Sequence, residues 1–214
     1  MQRLVVLISG QGSNLQALID ACAQPCAQAR IVGVLSNRTD AFGLVRAEKA
    51  GIARQVIDHR NYDSRELYDA ALSACIERWQ ADLIVLAGFM RILTPAFVAR
   101  HEGRLINIHP SLLPRHKGLD THARALAAHD PVHGCSVHWV SAELDGGPVI
   151  AQAMVEVAAD DDAASLAAKV HRLEHRLYPM VIAQIVAALQ NQEDPHALPV
   201  RHYRWGADDE LHPG

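Results

Sequence analysis

The chain has 214 residues, half of which are apolar, and this is enough to bury one substantial core, so a single domain over residues 1–214 is expected. A formal net charge of −4 gives no electrostatic footprint for a nucleic acid partner. The apolar run before Gly10 has six residues, too few for a secretory signal or a membrane span, so no membrane partner is expected.

The first half of the chain alternates short apolar runs with helical stretches, which is typical of βαβ units. Strands are predicted over 4–9, 31–36, 54–57, 82–88 and 104–109, and helices over 14–23, 44–50 and 64–79. The runs over 82–88 and 104–109 are apolar on both faces, which indicates a central parallel sheet covered by helices. The fold class expected is therefore α/β, with an open, mostly parallel, twisted sheet.

The pattern changes after Pro114. A helix is predicted over 122–129, then two strands over 134–140 and 148–157 that flank a turn and make the sheet mixed. A long helix is expected from 160–162 to about 189, because apolar side chains recur at helical spacing. The tail 191–214 predicts a loose flap or a short strand.

Four cysteines (Cys22, Cys26, Cys75 and Cys135) include no CxxC pair, so free packing thiols and a cytoplasmic location are expected.

The first predicted strand runs through Gly10 and Gly12 into a helix that opens with Ser13 and Asn14. Free backbone N–H groups and the helix dipole make such a turn suited to an anion, and a monophosphate fits best. The turn lacks the third glycine of a dinucleotide fingerprint and the lysine of a Walker loop. A plain tight turn with Asn14 or Ser13 as the N-cap is an equal alternative.

The strand over 104–109 ends with Asn107 and His109 before Pro110. Side chains alternate along a strand, so these two polar groups share a face and are about 6–7 Å apart at Cα, which leaves room for a small polar group between them. Pro110 cannot continue the ladder, so the pair is expected at the mouth of the strand. The alternative is a polar strand end capped by a proline turn.

The segment 143–149 reads ELDGGPV, in which Asp145 and Gly146 would ordinarily form a hairpin turn. If Asp145 lies beside His109, it favours the charged imidazolium and can accept a proton from an amine nucleophile. Asn107 and a cationic His109 could then hold the oxyanion of a tetrahedral intermediate.

A rival motif lies at 171–175, where HRLEH matches the HxxEH pattern of inverted zinc peptidases. His171 and His175 would be metal ligands and Glu174 a base, but a third ligand would have to come from elsewhere. A solvated helix face is the other interpretation of this stretch.

Taken together, the motifs ISGQGSNLQALID, LAGFMRILTP, NIHPSLLPRHKG and ELDGGPVI resemble the folate-dependent formyltransferase family of purine synthesis, the glycinamide ribonucleotide transformylases. The motifs occur in order over nearly the whole chain. The resemblance implies a Rossmann-like formyltransferase fold, with a nucleotide and phosphate half over 1–100, a catalytic and folate half over 101–190, and the tail over 191–214. It implies transfer of a formyl group from 10-formyltetrahydrofolate to the amine of 5'-phosphoribosylglycinamide, with no metal, by a monomer or weak homodimer.

The resemblance also implies the site residues. Asn107, His109 and Asp145 would be catalytic, and Gly12, Ser13 and Asn14 would bind the phosphate, with Glu174 on the nucleotide substrate. The folate would meet Arg65 at its glutamate tail, the backbone of Met90, Arg91, Ile92 and Leu93, and a closing loop formed by Ser141, Ala142, Glu143, Leu144 and Asp145. Asn107 would also face the folate.

One departure is Asp120, where many relatives are expected to have His or Asn; no role is assigned to it, and His122 could serve only as a helix cap. Related families remain as alternatives. A formyltetrahydrofolate deformylase would use water as the nucleophile, but usually carries an additional amino-terminal domain. A methionyl-tRNA formyltransferase usually adds a basic carboxyl-terminal domain. A non-catalytic nucleotide-binding module would need the phosphate turn without His109 or Asp145.

Overall fold

A computed structural model describes all 214 residues and contains nine strands and six α-helices. The strands are β1 (Gln2–Ile8), β2 (Ala29–Ser36), β3 (Arg54–Val56), β4 (Leu83–Leu86), β5 (Leu105–His109), β6 (Val132–Trp139), β7 (Val149–Glu156), β8 (Arg201–Trp205) and β9 (Leu211–Pro213). The helices are α1 (Ser13–Cys22), α2 (Gly43–Lys49), α3 (Arg65–Arg78), α4 (Pro95–Arg100), α5 (Thr121–Ala127) and α6 (Ala163–Gln190). Short 3₁₀ turns lie at His59–Asn61 and Pro195–Ala197.

The nine strands form one sheet in the order β3-β2-β1-β4-β5-β6-β7-β8-β9. The first five strands in this order pair in parallel, β6 pairs antiparallel with both β5 and β7, and β8 returns to a parallel pairing with β7. The prediction of a mostly parallel sheet with an antiparallel addition in the second half is confirmed.

The core lies on both faces of the sheet, and β1 shows how one strand serves both. Leu4, Val6 and Ile8 join the larger cluster, which packs under α1, α2 and α6. Val5 and Leu7 point the other way into a smaller cluster under α3 and α4. Burial on both sides explains why the apolar run of β1 shows no alternation of polar and apolar residues, because a central parallel strand is covered on both faces.

Four features differ from the predictions. Helix α4 was not predicted, because Pro95 and a length of six residues give little periodic signal, although Thr94 caps it through a hydrogen bond from the Phe97 N–H. Leu67 was predicted to share an apolar face with Leu72, but it is exposed. The connection between β6 and β7 spans 140–148 and is longer than a tight hairpin turn. The tail, for which a loose flap or a short strand was predicted, forms two short strands, the β8–β9 hairpin at the sheet edge, so the strand is confirmed and the flap is not.

Helix α6 fixes the centre of the sheet through one tyrosine. Tyr178 is fully buried, and its hydroxyl lies 3.0 Å from the Leu86 carbonyl oxygen and 3.1 Å from the Ile106 carbonyl oxygen. These carbonyls belong to β4 and β5 near their carboxyl ends, next to Asn107. The helix has 28 residues, but neither it nor any other helix is long and apolar enough to cross a membrane.

Replacing Tyr178 with Phe is expected to lower the free energy of unfolding by about 1–3 kcal/mol, because two buried carbonyls lose their hydroxyl partner while the ring volume is kept. Urea denaturation followed by circular dichroism measures the change. Tyr203→Phe is the matched control, since the Tyr203 hydroxyl has only a 3.5 Å approach from Gln184, and its loss should be smaller. Equal stability of Tyr178→Phe and the wild type would contradict the bracing role.

Candidate active site

A cavity of about 580 Å³ opens at the carboxyl end of β5. Its walls come from residues 88–92 after β4, from the end of β5, from the loop and helix start at 118–122, and from the β6–β7 loop. Asn107, His109 and Asp145 all line it, so the structure brings together the three residues predicted to be catalytic. An adjoining cavity of about 110 Å³ shares Asn107 and Asp145 and extends toward Leu93 and 140–144.

Asp145 and His109 face each other. Nδ1 of His109 lies 3.4 Å from Oδ2 of Asp145, and the two side chains are 7% and 9% exposed. The same Asp145 oxygen accepts a 2.9 Å hydrogen bond from the Gly118 N–H. The Gly146 N–H also donates to the Glu143 carbonyl, so the turn and the contact with His109 coexist.

The second nitrogen of His109 is also occupied. Nε2 lies 3.0 Å from the His116 carbonyl oxygen, which can only accept, so this nitrogen carries a proton. With a carboxylate at Nδ1 and a carbonyl at Nε2, a doubly protonated His109 can donate from both nitrogens. An oxyanion that contacts Nε2 would therefore replace or share the His116 carbonyl.

Asn107 is oriented by a histidine that sequence reasoning missed. Nδ1 of His138 lies 2.9 Å from the Trp139 carbonyl and must donate there, so Nε2 is left to accept the 3.1 Å hydrogen bond from the Asn107 amide. Burial lowers the pKa of His138, which keeps this ring neutral. The two residues are directly paired across β5 and β6, and that register is not visible in the sequence.

The loop after β5 is held by Ser136 of β6. Its buried hydroxyl donates to the Ser111 carbonyl at 2.6 Å and accepts from the Leu113 N–H at 3.0 Å. The Gln152 amide lies 2.8 Å from the same oxygen and also donates to the Leu113 carbonyl. The Ser136 hydroxyl and the Gln152 amide nitrogen are therefore both paired inside the protein.

The glycine turn before α1 differs in detail from the prediction. Gly12 has φ 69° and occupies the N-cap position, and no side chain caps the helix, so neither Ser13 nor Asn14 is the cap. A Cβ at Gly12 would lie 2.7 Å from the Gly43 Cα, which explains the need for glycine. The uncapped N-terminus leaves its first N–H groups available to an anion.

Asn14 is turned inward. Its amide nitrogen donates to Oε2 of Glu174 at 2.8 Å, in a buried pair that joins the predicted phosphate turn to the predicted nucleotide contact. Burial raises the pKa of Glu174, and the Asn14 hydrogen bond and the charge of His171 offset part of the rise. Any Asn14 contact with a phosphate would therefore use its backbone N–H or the second N–H of its side-chain amide.

A cation near this turn was also missed. The Arg46 guanidinium donates to the Gln11 carbonyl at 2.9 Å and to Gln16 Oε1 at 3.1 Å. Arg46 and Ser13 line a separate groove of about 560 Å³ between α1 and α6. Arg46 lies on a short helix, 34 positions after Gly12, so the sequence gave no signal for this contact.

The rim of the active cavity is apolar. Met90, Ile92, Leu119 and Leu144 are large exposed hydrophobic side chains that all line it. Arg91 lines both cavities, Leu93, Ser141, Ala142 and Glu143 line the smaller one, and Leu119 was not predicted. Arg65 is exposed at the start of α3 and lines neither cavity.

The HxxEH stretch has no metal-site geometry. The rings of His171 and His175 are parallel with centroids 6.3 Å apart, while Glu174 is buried against Asn14. No group of three or more His, Cys, Asp or Glu side chains is arranged to hold a metal ion.

Comparison with known proteins gives a consistent result. The family model described as formyl transferase matches residues 2–182. The phosphoribosylglycinamide formyltransferase of Escherichia coli K12 is 54% identical over 180 residues, covering 84% of this chain and 85% of that protein. The human trifunctional purine biosynthetic protein adenosine-3 is 45% identical over 186 residues, which are 87% of this chain and 18% of that protein.

A solved structure of the phosphoribosylglycinamide formyltransferase from Coxiella burnetii superposes with a TM-score of 0.84 at 48% identity, covering 87% of this chain and 88% of that one. The enzyme from Brucella melitensis gives a TM-score of 0.84 at 47% identity, covering 87% and 96%.

Replacing His138 with Leu is expected to lower kcat by about 10-fold or more, because Asn107 loses the acceptor that orients its amide. KM for each substrate should change less than kcat, since His138 borders the smaller cavity but is only 1% exposed. Steady-state kinetics measure both constants, and His138→Gln, which keeps an acceptor, should recover part of kcat. Equal kcat in His138→Leu and the wild type would contradict the orienting role.

The raised pKa of Glu174 predicts that ionisation of its carboxyl group destabilises the folded protein. The folded state holds the Glu174 proton more tightly than the unfolded state, so this group lowers stability as pH rises from about 4.3 through the folded pKa. The free energy of unfolding of Glu174→Gln minus that of the wild type should therefore be more positive at pH 8 than at pH 4. Urea titrations at both pH values measure it, with the exposed Glu156→Gln as control. A pH-independent difference would contradict the assignment.

Proposed function

The chain belongs to the formyl transferase family, and we propose that it passes the formyl group of 10-formyltetrahydrofolate to the glycine amine of 5'-phosphoribosylglycinamide. The family model and the relatives show that the chain is a formyl-transferring enzyme of purine biosynthesis. The identity of the donor and the roles of individual residues belong to the proposal.

The observation that carries the proposal is the meeting of Asn107, His109 and Asp145 in one cavity. The amine attacks the formyl carbon, and the carbonyl oxygen becomes an oxyanion that the Asn107 amide and the His109 ring can stabilise. Asp145 lies 3.4 Å from His109, so it fixes the orientation of the ring. Hydrogen-bond donors stabilise an oxyanion most effectively in a site with little water, and the His109 and Asp145 side chains are nearly buried.

The cavity walls fit the two substrates in different ways. The apolar rim of Met90, Ile92, Leu119 and Leu144 suits the flat ring system of a folate, with Arg91 at its edge. The uncapped turn at Gly12 and Ser13 suits the phosphate, and Glu174 lies one hydrogen bond away through Asn14. Arg65 remains a prediction for the glutamate tail, and the cytoplasmic monomer or weak homodimer remains a prediction as well.

The role of Asp145 in proton transfer also belongs to the proposal. Its carboxylate can accept a proton through a water molecule, but one oxygen already receives the Gly118 N–H and faces His109. Oδ2 of Asp145 therefore orients His109, while Oδ1, which lies 3.9 Å from Nε2 of His138, is left to accept that proton.

The experiment compares the loss of the formyl group from 10-formyltetrahydrofolate, followed by absorbance, with and without the ribonucleotide amine. Turnover should require the amine, and free formate should not accumulate without it. His109→Ala should lower kcat by about 10²-fold or more while nucleotide affinity is kept, because the ring acts mainly on the transition state. Equal rates of formate release with and without the amine would instead indicate a deformylase.

A further inference from the structure

The tail 191–214 lies beyond the residues that the family model matches, and one of its side chains contacts strand β6. The ring of His196 stacks on the ring of Trp139, the last residue of β6, with centroids 4.0 Å apart and planes 25° apart. Nε2 of His196 also lies 3.2 Å from the Gly103 carbonyl oxygen, just before β5. A carbonyl can only accept, so Nε2 carries the proton of this hydrogen bond. His196 therefore bridges the end of β6 and the start of β5.

The backbone on both sides of this contact holds His196 in one place. Asp194 precedes the 3₁₀ turn at Pro195–Ala197, and its side chain accepts a 2.9 Å hydrogen bond from the His196 N–H. Pro195 fixes φ at the start of this turn. On the other side, Gly103 has φ 73°, and a Cβ there would lie 3.2 Å from Nε2 of His196. Any other residue at Gly103 would therefore be strained and would crowd the His196 ring.

His196 covers a core residue from the solvent side. Trp139 is 5% exposed and belongs to the larger core cluster, whereas His196 is itself exposed. Large losses of stability come mainly from cavities within the core. Because a smaller side chain at position 196 leaves no enclosed cavity, variants at this position are expected to fold.

Trp139 is the residue from which the β6–β7 loop leaves the sheet. Its N–H donates to the Pro148 carbonyl at 2.9 Å, at the far end of the loop. Its carbonyl oxygen accepts the 2.9 Å hydrogen bond from Nδ1 of His138. The next N–H, that of Val140, donates to the Leu105 carbonyl of β5 at 3.0 Å. A shift of Trp139 would therefore move both ends of the loop together with the His138 ring.

The loop that starts after Trp139 forms one wall of the smaller cavity. Residues 140–145 line this cavity together with Asn107 and His138. In the proposed function the folate meets this wall, so the position of the loop sets how well the formyl donor binds. The glycine turn before α1 and Glu174 line neither this cavity nor the larger one. A displacement of the loop should therefore affect the folate more than the nucleotide substrate.

We propose that His196 is a positioning residue for the formyl donor. Its ring, held by the Gly103 carbonyl, stacks on Trp139 and fixes the start of the β6–β7 loop, and the fixed loop sets the affinity for the folate. This inference rests on the proposed function. The tail thereby takes part in folate binding, although none of its residues lines either cavity.

The first test is His196→Ala in steady-state kinetics. We expect KM for 10-formyltetrahydrofolate to rise about fivefold or more, because the loop that contacts the folate loses its support. KM for 5'-phosphoribosylglycinamide should stay within about twofold of wild type, since the glycine turn is untouched. A contact that only stabilises the whole fold would not separate the two substrates in this way.

The second test is hydrogen exchange in the free enzyme, which needs no substrate. In His196→Ala the amides of a peptide covering 140–148 should exchange about tenfold faster than in the wild type, because local opening of the loop becomes easier. The amides of a peptide covering 10–18 should exchange at the wild-type rate. This measurement reports the loop directly.

Two further replacements separate the two contacts of the ring. His196→Phe keeps an aromatic ring on Trp139 without the bond to Gly103, and its KM for the folate should stay within about threefold of wild type. His196→Gln keeps a donor for Gly103 without an aromatic ring, and it should resemble His196→Ala. The matched control is His202→Ala, which changes another exposed histidine of the tail, on β8, and should leave both KM values and the loop exchange unchanged.

A folded His196→Ala with wild-type KM for the folate, or with wild-type exchange over 140–148, would overturn the inference. Equal rises in KM for both substrates would also overturn it, because they would indicate a loosening of the whole fold. A His196→Phe variant as impaired as His196→Ala would overturn the role of stacking. A wild-type enzyme without amine-dependent transfer would instead refute the proposed function, and the exchange over 140–148 would still test the support of the loop separately.

Discussion

The geometry of the site depends on the anchoring of the loop after β5 to the buried hydroxyl of Ser136. That hydroxyl bonds the loop at both Ser111 and Leu113, immediately after the strand that carries Asn107 and His109. A fixed start lets the following residues deliver the His116 carbonyl to His109 and the Gly118 N–H to Asp145. A buried polar network with every member paired specifies one arrangement, because any alternative leaves a buried donor or acceptor unmatched.

Three histidines at the two adjoining cavities have different hydrogen-bond partners. His109 has a carboxylate at one nitrogen and a carbonyl at the other, so both of its nitrogens face acceptors. His138 has a carbonyl at one nitrogen and must accept at the other, so it acts as a neutral orienting group. His122 shares a hydrogen bond with the buried His133, and burial lowers its pKa. Different surroundings therefore let identical side chains act as donor or acceptor at one pH.

The local features of this site could be predicted, and the long-range ones could not. The placement of Asn107 and His109 on one cavity follows from the alternation of side chains before Pro110, and the structure confirms it. The meeting of His109 with Asp145 depended on the family resemblance, because it joins positions 36 apart. His138 and Arg46 were missed, since each acts through strand register or helix packing that no short motif encodes. Helix α4 was missed, and the tail was predicted as at most one short strand, because short elements are defined by their partners.

Helix α6 links these separate parts because three of its residues share one face. His171, Glu174 and Tyr178 are spaced by three and four positions, which places them on one side of the helix. Along that side, His171 lowers the pKa of His122, Glu174 bonds Asn14 at the glycine turn before α1, and Tyr178 reaches the carbonyls of β4 and β5. Because consecutive turns of a helix are held by backbone hydrogen bonds, the hydrogen bonds of Glu174 and Tyr178 cannot shift independently. A displacement of α6 at the glycine turn would therefore also displace the strand that carries Asn107.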